Sequence, residues 1–242
     1  MDSLVDNNRN KYLENNYKSN LVVKDLYVEK LIKYLINKYF PGYKKNYDEV
    51  CLDLGCGNGL QASYLANYFN VKCLDIADNA DLFFKKNKLD IEFKKCDLEN
   101  DSFPFLDNIF NLIFSKSVIE HVKNTDHFLS ESYRVLKPSG AILILTPAWE
   151  TQYKCFYDDY THVTPFTKHG LNLALKTSGF KNIVVEEFYQ LPFMWNKPYL
   201  SLIPKLISFL PDRFKFKNGE RTDPNKIIRF SKETMLIAVA NK

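Results

Sequence analysis

Residues 50–59, VCLDLGCGNG, constrain this chain more than any other segment. A short apolar run leads into glycines at 55, 57 and 59, and an amphipathic stretch, LQASYLANYF, follows at once. Glycine reaches backbone conformations closed to other residues, so the pattern predicts a buried strand, a tight turn and a helix. Short apolar runs and amphipathic stretches go on alternating as VKCLDI, NADLFFKKNK and IEFKK, which is how βαβ units feed a parallel sheet.

The alternation continues along the chain. IFNLIF (109–114) predicts a fourth strand, and a helix carrying Phe128, Leu129, Tyr133 and Leu136 should stop before Pro138. AILILT (141–146) is apolar on both faces, which suits the centre of a sheet. A helix from about Lys168 to Ser178 ends at Gly179, and NIVVEEF and residues 234–240 supply the last two strands. Leu26, Tyr27, Leu31, Ile32, Leu35, Ile36 and Tyr39 form a helical stripe that ends at Pro41-Gly42. The expected fold is therefore α/β, a doubly wound, seven-stranded, mostly parallel sheet with an N-terminal helix and a helical insert before the last strand. One domain spans 1–242: arm and helix at 1–44, core at 45–187, insert at 188–226 and last strand at 227–242.

Three acids mark the strand ends. Asp53 precedes the first glycine, Asp75 ends the second strand and Asp97 follows the third. The spacing is G-x-G-x-G, not the G-x-G-x-x-G of dinucleotide binding, and a carboxylate at 53 would repel a pyrophosphate while attracting an amino group. Asp75 could accept ribose hydroxyls and Asp97 an exocyclic amine.

On these residues the chain resembles the class I S-adenosylmethionine-dependent methyltransferases, with their Rossmann-like fold, over roughly 45–185. DLGCGNG (53–59) is similar to the first motif, FNLIFSKSVIEHV (110–122) to the fourth-strand motif and VLKPSGAILILTP (135–147) to the segment after it. Asn111 and Ser139 depart from the usual Asp and Gly. The resemblance implies S-adenosyl-L-methionine as cofactor. Asp53, Gly55, Cys56, Gly57, Asn58 and Gly59 would hold its methionine part, Asp75 and Ile76 the ribose, and Asp97 and Leu98 the adenine edge. Ser115 and Ser117, after the fourth strand, are further cofactor candidates. They stand where amino-methyltransferases of bases and glutamine carry an NPPY-like tetrapeptide, so the acceptor atom is expected to be oxygen.

A hydroxyl acceptor must lose a proton, to a general base or with the help of a metal. The candidates are Asp159 and His162, in DYTHVTPFT (159–167), with His121 of IEHV on the rim after the fourth strand. The loop could equally be a hydrogen-bonded wall of the pocket. Asp158, Asp159 and His162 form a candidate divalent-metal set. His127 and His169 stand at helix starts, where a structural role is the expectation. DYTHVTPFT resembles a subgroup associated with polysaccharide and glycan biosynthesis, so a sugar, nucleotide-sugar or lipid-linked intermediate is the expected acceptor. A membrane-associated lipid or quinol is the alternative, and a non-catalytic cofactor-binding scaffold stands as a reading of another class.

Charge narrows the partners. The 33 basic and 29 acidic residues give +4 overall, too balanced for a nucleic-acid-coating protein, so no nucleic acid is expected. Between Gln190 and Lys242, however, ten Lys/Arg meet four Asp/Glu. Residues 188–217 mix four prolines, Trp195 and Tyr199 with these cations, and eight of the twelve residues from Tyr199 to Leu210 are apolar. Such a segment suits a lid over the acceptor or a peripheral contact with lipid. Five cysteines without metal spacing, a polar N-terminus and no long apolar run lead to the expectation of a cytoplasmic protein with free thiols.

Overall fold

The computed structural model describes residues 26–44, 46–217 and 224–242. The chain divides into two compact units, Met1–Pro104 and Phe105–Lys242.

The first unit contains α1 (Leu26–Tyr39), β1 (Val50–Leu54), α2 (Leu60–Leu65), β2 (Asn70–Asp75), α3 (Asn79–Asn87) and β3 (Glu92–Lys95). Helix α1 buries Val28, Leu31, Ile32, Leu35 and Ile36, the face its sequence spacing predicts. Strands β1 and β2 run parallel from Val50 opposite Asn70 to Leu54 opposite Leu74, and β3 joins β2 in parallel. Helix α2 is shorter than the run LQASYLANYF suggests. The amides of Tyr68 and Phe69 both fold back onto the Leu65 carbonyl, and the Phe69 ring is buried as the chain turns into β2.

The second unit contains β4 (Phe110–Lys116), α4 (Thr125–Val135), β5 (Leu136–Pro147), α5 (Trp149–Gln152), α6 (Lys168–Thr177), β6 (Lys181–Phe188), α7 (Leu202–Ile207), α8 (Lys226–Lys232) and β7 (Met235–Asn241). One-turn helices occupy Ile119–His121, Phe156–Asp158, Pro198–Ser201 and Asp212–Lys215. Strand β5 runs parallel to β4 and antiparallel to β7, which also pairs antiparallel with β6. The order β3-β2-β1-β4-β5-β7-β6 makes one seven-stranded, mostly parallel sheet, as expected. Residues 141–146 are buried throughout, as their two-sided apolar pattern requires.

Two boundaries differ from the sequence expectation. Leu136 is the first residue of β5, not part of the helix, and the strand runs on through Pro138, Ser139 and Gly140. A register shift between Phe110 and Leu112 accommodates this arm, Ser139 takes a φ of 65°, and a Cβ at Gly140 would meet the Phe110 carbonyl at 3.0 Å. At the other end, residues 226–232 form α8 instead of starting the last strand. The Asn225 side chain caps this helix by accepting from the Ile228 amide, and β7 begins only at Met235.

Among the described residues no helix is long and apolar enough to cross a membrane. All five cysteines are free thiols, four of them buried.

Candidate active site

The glycine turn of the first unit is built as its sequence demands. Gly55, Gly57 and Gly59 have φ values of 70°, 57° and 78°, where a side chain would be strained. Gly59 is doubly required, because an added Cβ would lie 2.5 Å from the Phe84 ring. The loop is closed from below by its neighbour strand. The Gly55 amide donates to the Leu74 carbonyl at 2.8 Å, and the Gly57 amide donates to Asp75 Oδ2 at 2.8 Å.

Asp75 therefore shapes the loop that it was expected to serve. Its other oxygen accepts from the Ala77 amide at 3.0 Å, yet each carboxylate oxygen retains acceptor capacity beyond these bonds. Asp53 is buried on β1, with 1% of its surface exposed. Asn58 turns its carbonyl onto the Leu60 amide, Ile76 is half-buried and Leu98 is buried. Asp97 accepts from the Glu99 amide and from the Asn100 side chain, holding the turn after β3. Cys56 lies against Cys73, and this hydrogen bond together with burial holds its thiol well above the ordinary range, so it is a packing group and not a nucleophile. Carboxylates at the ends of two strands and after a third, around a loop whose backbone admits close approach, fit a ligand bearing an ammonium, a diol and an exocyclic amine.

The second unit begins its own polar set at the end of β4. Ser115 is buried, and its hydroxyl has no hydrogen-bond partner among the described residues. Ser117 is exposed at a φ of 58°, its amide bonded to the Leu145 carbonyl.

Beyond them the structure brings Glu120, His121 and His162 together. One ligand atom from each lies within 4.8 Å of the others. Glu120 is 1% exposed, its Oε2 accepts from Thr146 Oγ1 at 3.0 Å, and burial raises its carboxyl to about 7. Its backbone carbonyl accepts from the amides of Val163 and Thr164, and Thr164 Oγ1 donates to the Val122 carbonyl. These bonds dock the 159–167 loop on the IEHV turn.

Other bonds in the same loop orient both imidazoles. His162 Nδ1 stands 2.7 Å from the Phe156 carbonyl, which can only accept, so Nδ1 carries the proton and Nε2 the lone pair. Thr161 Oγ1 donates its one proton to Asp159 Oδ1 at 2.6 Å and must therefore accept from His121 Nδ1 at 2.9 Å. The Thr161 carbonyl, 3.2 Å from the same nitrogen, requires the same tautomer. Asp159 Oδ2 lies 4.0 Å from His162 Nε2.

The candidate metal set changes accordingly. Asp158, at the end of a one-turn helix, is exposed and does not join His162, whereas Glu120 and His121 do. Glu120 was missed because a carboxylate in a turn is ordinarily exposed, and the groups that enclose it, Thr146, Val163 and Thr164, are remote in the sequence. His127 donates its backbone amide to the Asn124 cap of α4, and His169 is exposed in the first turn of α6. Aromatic rings wall the cluster: Phe156 packs on His162 at 4.6 Å between centroids, and Trp149 meets Phe156 edge-on at 5.6 Å.

This architecture is the class I methyltransferase fold. A solved S-adenosylmethionine-dependent methyltransferase from Archaeoglobus fulgidus superposes with a TM-score of 0.61 at 20% identity, covering 96% of this chain and 98% of that one. Haemonchus contortus phosphoethanolamine N-methyltransferase 2, solved with S-adenosyl-L-methionine, gives 0.60 at 19% identity over 87% of this chain and 52% of that one. Within the chain, residues 52–144 match the family model described as a methyltransferase domain. Among curated relatives, demethylmenaquinone methyltransferase of Lactobacillus johnsonii is 27% identical over 61% of this chain and 74% of its own length. Ubiquinone biosynthesis O-methyltransferase of Rickettsia prowazekii is 33% identical over 48% of this chain and 46% of its own. The match thus spans about half the length of the latter relative.

Proposed function

We propose that this protein transfers a methyl group from S-adenosyl-L-methionine to a hydroxyl of a small acceptor, with His162 as the group that takes the hydroxyl proton. The observation that carries this reading is the convergence of Glu120, His121, Asp159 and His162. When bound, S-adenosylmethionine supplies an electrophilic methyl on a sulfonium. Asp53, Asp75, Asp97 and the loop from Gly55 to Gly59 would hold it, by charge, diol recognition and close backbone approach.

The remaining chemistry belongs to the protein's own side chains. The Phe156 carbonyl keeps the proton of His162 on Nδ1, so Nε2 is ready to accept one. Asp159 Oδ2 stands 4.0 Å from that nitrogen. Thr161 links Asp159 to His121 and holds both in place.

A second reading concerns how the proton is made acidic. Two imidazoles and one carboxylate within 4.8 Å are a donor set suited to a divalent cation. When bound there, a cation would act as a Lewis acid on the acceptor oxygen. Glu120, His121 and His162 would then hold it, and the buried carboxyl would be ionised.

For the acceptor we favour a hydroxylated ring of quinol type. The two relatives named above are called quinone-pathway methyltransferases, one of them an O-methyltransferase, and the aromatic wall of Trp149 and Phe156 suits a flat ring. A nucleotide sugar is the competing acceptor, supported by the resemblance of DYTHVTPFT to glycan-linked methyltransferases. Release of S-adenosylhomocysteine should be measured with soluble quinol analogues and with nucleotide sugars, each with and without EDTA. Turnover on quinols alone is expected. Turnover on sugars alone would move the acceptor to that class, and loss in EDTA would select the metal-assisted version.

A further inference from the structure

Helix α7 and its flanking turns carry their apolar residues outward. Tyr199, Leu202, Leu206 and Phe209 recur at three- and four-residue spacing along the 198–210 run, and they are 71%, 63%, 70% and 85% exposed. The buried residue of α7 is Pro204. An ordinary surface helix does the reverse, turning its apolar stripe to the core. Other exposed apolar side chains, such as Leu26, Leu82 and Leu173, stand far from this run in the sequence and on different elements.

This outward face is held rigidly. Lys232 Nζ donates to the Ser208 and Leu210 carbonyls at 2.6 and 2.7 Å, pinning the end of α7 to α8. Below it, Glu233 binds Lys215 at 2.8 Å and Arg229 at 2.6 Å, and both carboxylate and Lys215 are buried. The charge around the patch has one sign. Residues 193–217 contain five Lys/Arg and one acid, Asp212, which is paired with Lys232 at 3.1 Å. Lys197, Lys205 and Arg213 are exposed among the apolar groups.

We propose that this face docks the protein on the headgroup region of an anionic phospholipid bilayer. Long cationic stems interleaved with apolar rings suit that boundary, where the ring or aliphatic part sinks and the charge stays at the phosphates. The centre of a protein–protein interface, by contrast, is depleted of lysine. Positive charge with its one acid neutralised complements an anionic surface. The inference does not depend on which acceptor the enzyme methylates.

The test is vesicle flotation of the full chain with phosphatidylcholine alone and with phosphatidylcholine containing phosphatidylglycerol. Binding is expected to the anionic vesicles and to weaken with salt. Lys205→Glu with Arg213→Glu should weaken it by roughly fivefold or more per cation. Leu206→Ser with Phe209→Ser should weaken it more than tenfold. These positions are exposed, so thermal unfolding and S-adenosylmethionine affinity should be unchanged in every variant, which separates this inference from the proposed activity. Flotation with neither vesicle would overturn the proposal. So would a dimer, seen by light scattering, that the same serine variants dissolve, since a second copy would then be the occupant.

Discussion

The glycine turn between β1 and α2 and the Glu120–His162 cluster are both polar sites, but they are assembled differently. Around the turn, two of the acids are bonded to amides of their own or the adjacent strand end: Asp75 to Gly57 and Ala77, Asp97 to Glu99. In the cluster, the contacts join residues some forty positions apart, as when Val163 and Thr164 donate to the Glu120 carbonyl. A site made of local turns is written in a contiguous motif; one made by docking two loops is not. The former shapes a binding loop, and the latter sets protonation.

The widest separation between them is expected in His162→Ala. Turnover should fall by about 10² to 10⁴-fold while S-adenosylmethionine affinity, measured by calorimetry, stays the same. A fully active variant would return the loop to a structural role.

Glu120 gives the next effect, in stability. Its carboxyl is raised to about 7 in the folded chain from an ordinary value of 4.5, so the native state holds a proton that the unfolded state gives up. Its stabilising influence is complete below about pH 4.5 and is lost as pH rises through 7, a change of roughly 3 kcal/mol. Glu120→Gln lacks that titration and can still accept from Thr146. With EDTA present, the melting temperature of the variant should gain on that of the wild type from about pH 5 to pH 8. Parallel curves would show that the carboxyl is ionised throughout.

Asp75→Ala tests the turn itself. Loss of the charged acceptor that holds the Gly57 and Ala77 amides should weaken S-adenosylmethionine about 10- to 100-fold and lower stability by about 1–3 kcal/mol, with the fold retained. Unchanged affinity would detach Asp75 from the cofactor. The smallest expected effect is at Ser139, whose φ of 65° favours glycine. Ser139→Gly should stabilise the chain by about 1 kcal/mol in denaturant unfolding and leave both sites alone.

The same contrast explains what the sequence disclosed. Strands β1, β2 and β5 were legible because burial on both faces leaves an apolar run, and α1 because its core face repeats every three or four residues. The arm Leu136–Gly140 was not, since a proline after a helix normally marks a turn, and here it forms a bulge in the strand at the register shift with β4. Helix α8 was hidden in a segment too short for its period to emerge. Asp158 was grouped with His162 because they are near in sequence, but the one-turn helix at Phe156–Asp158 leaves it exposed while Asp159 turns to Thr161. Glu120 acquires its character from Thr146, Val163 and Thr164, none of them near it in the chain.

The partner that fixes the His162 tautomer is a peptide oxygen, that of Phe156. No point substitution removes a main-chain carbonyl, so this tautomer is insulated from drift in the side chains beside it. Tyr153, Tyr157 and Tyr160, in the same segment, are exposed side chains. If the proposed reaction holds, selection could therefore alter the side chains of this loop one residue at a time without resetting the tautomer, and acceptor preference would be the property free to change.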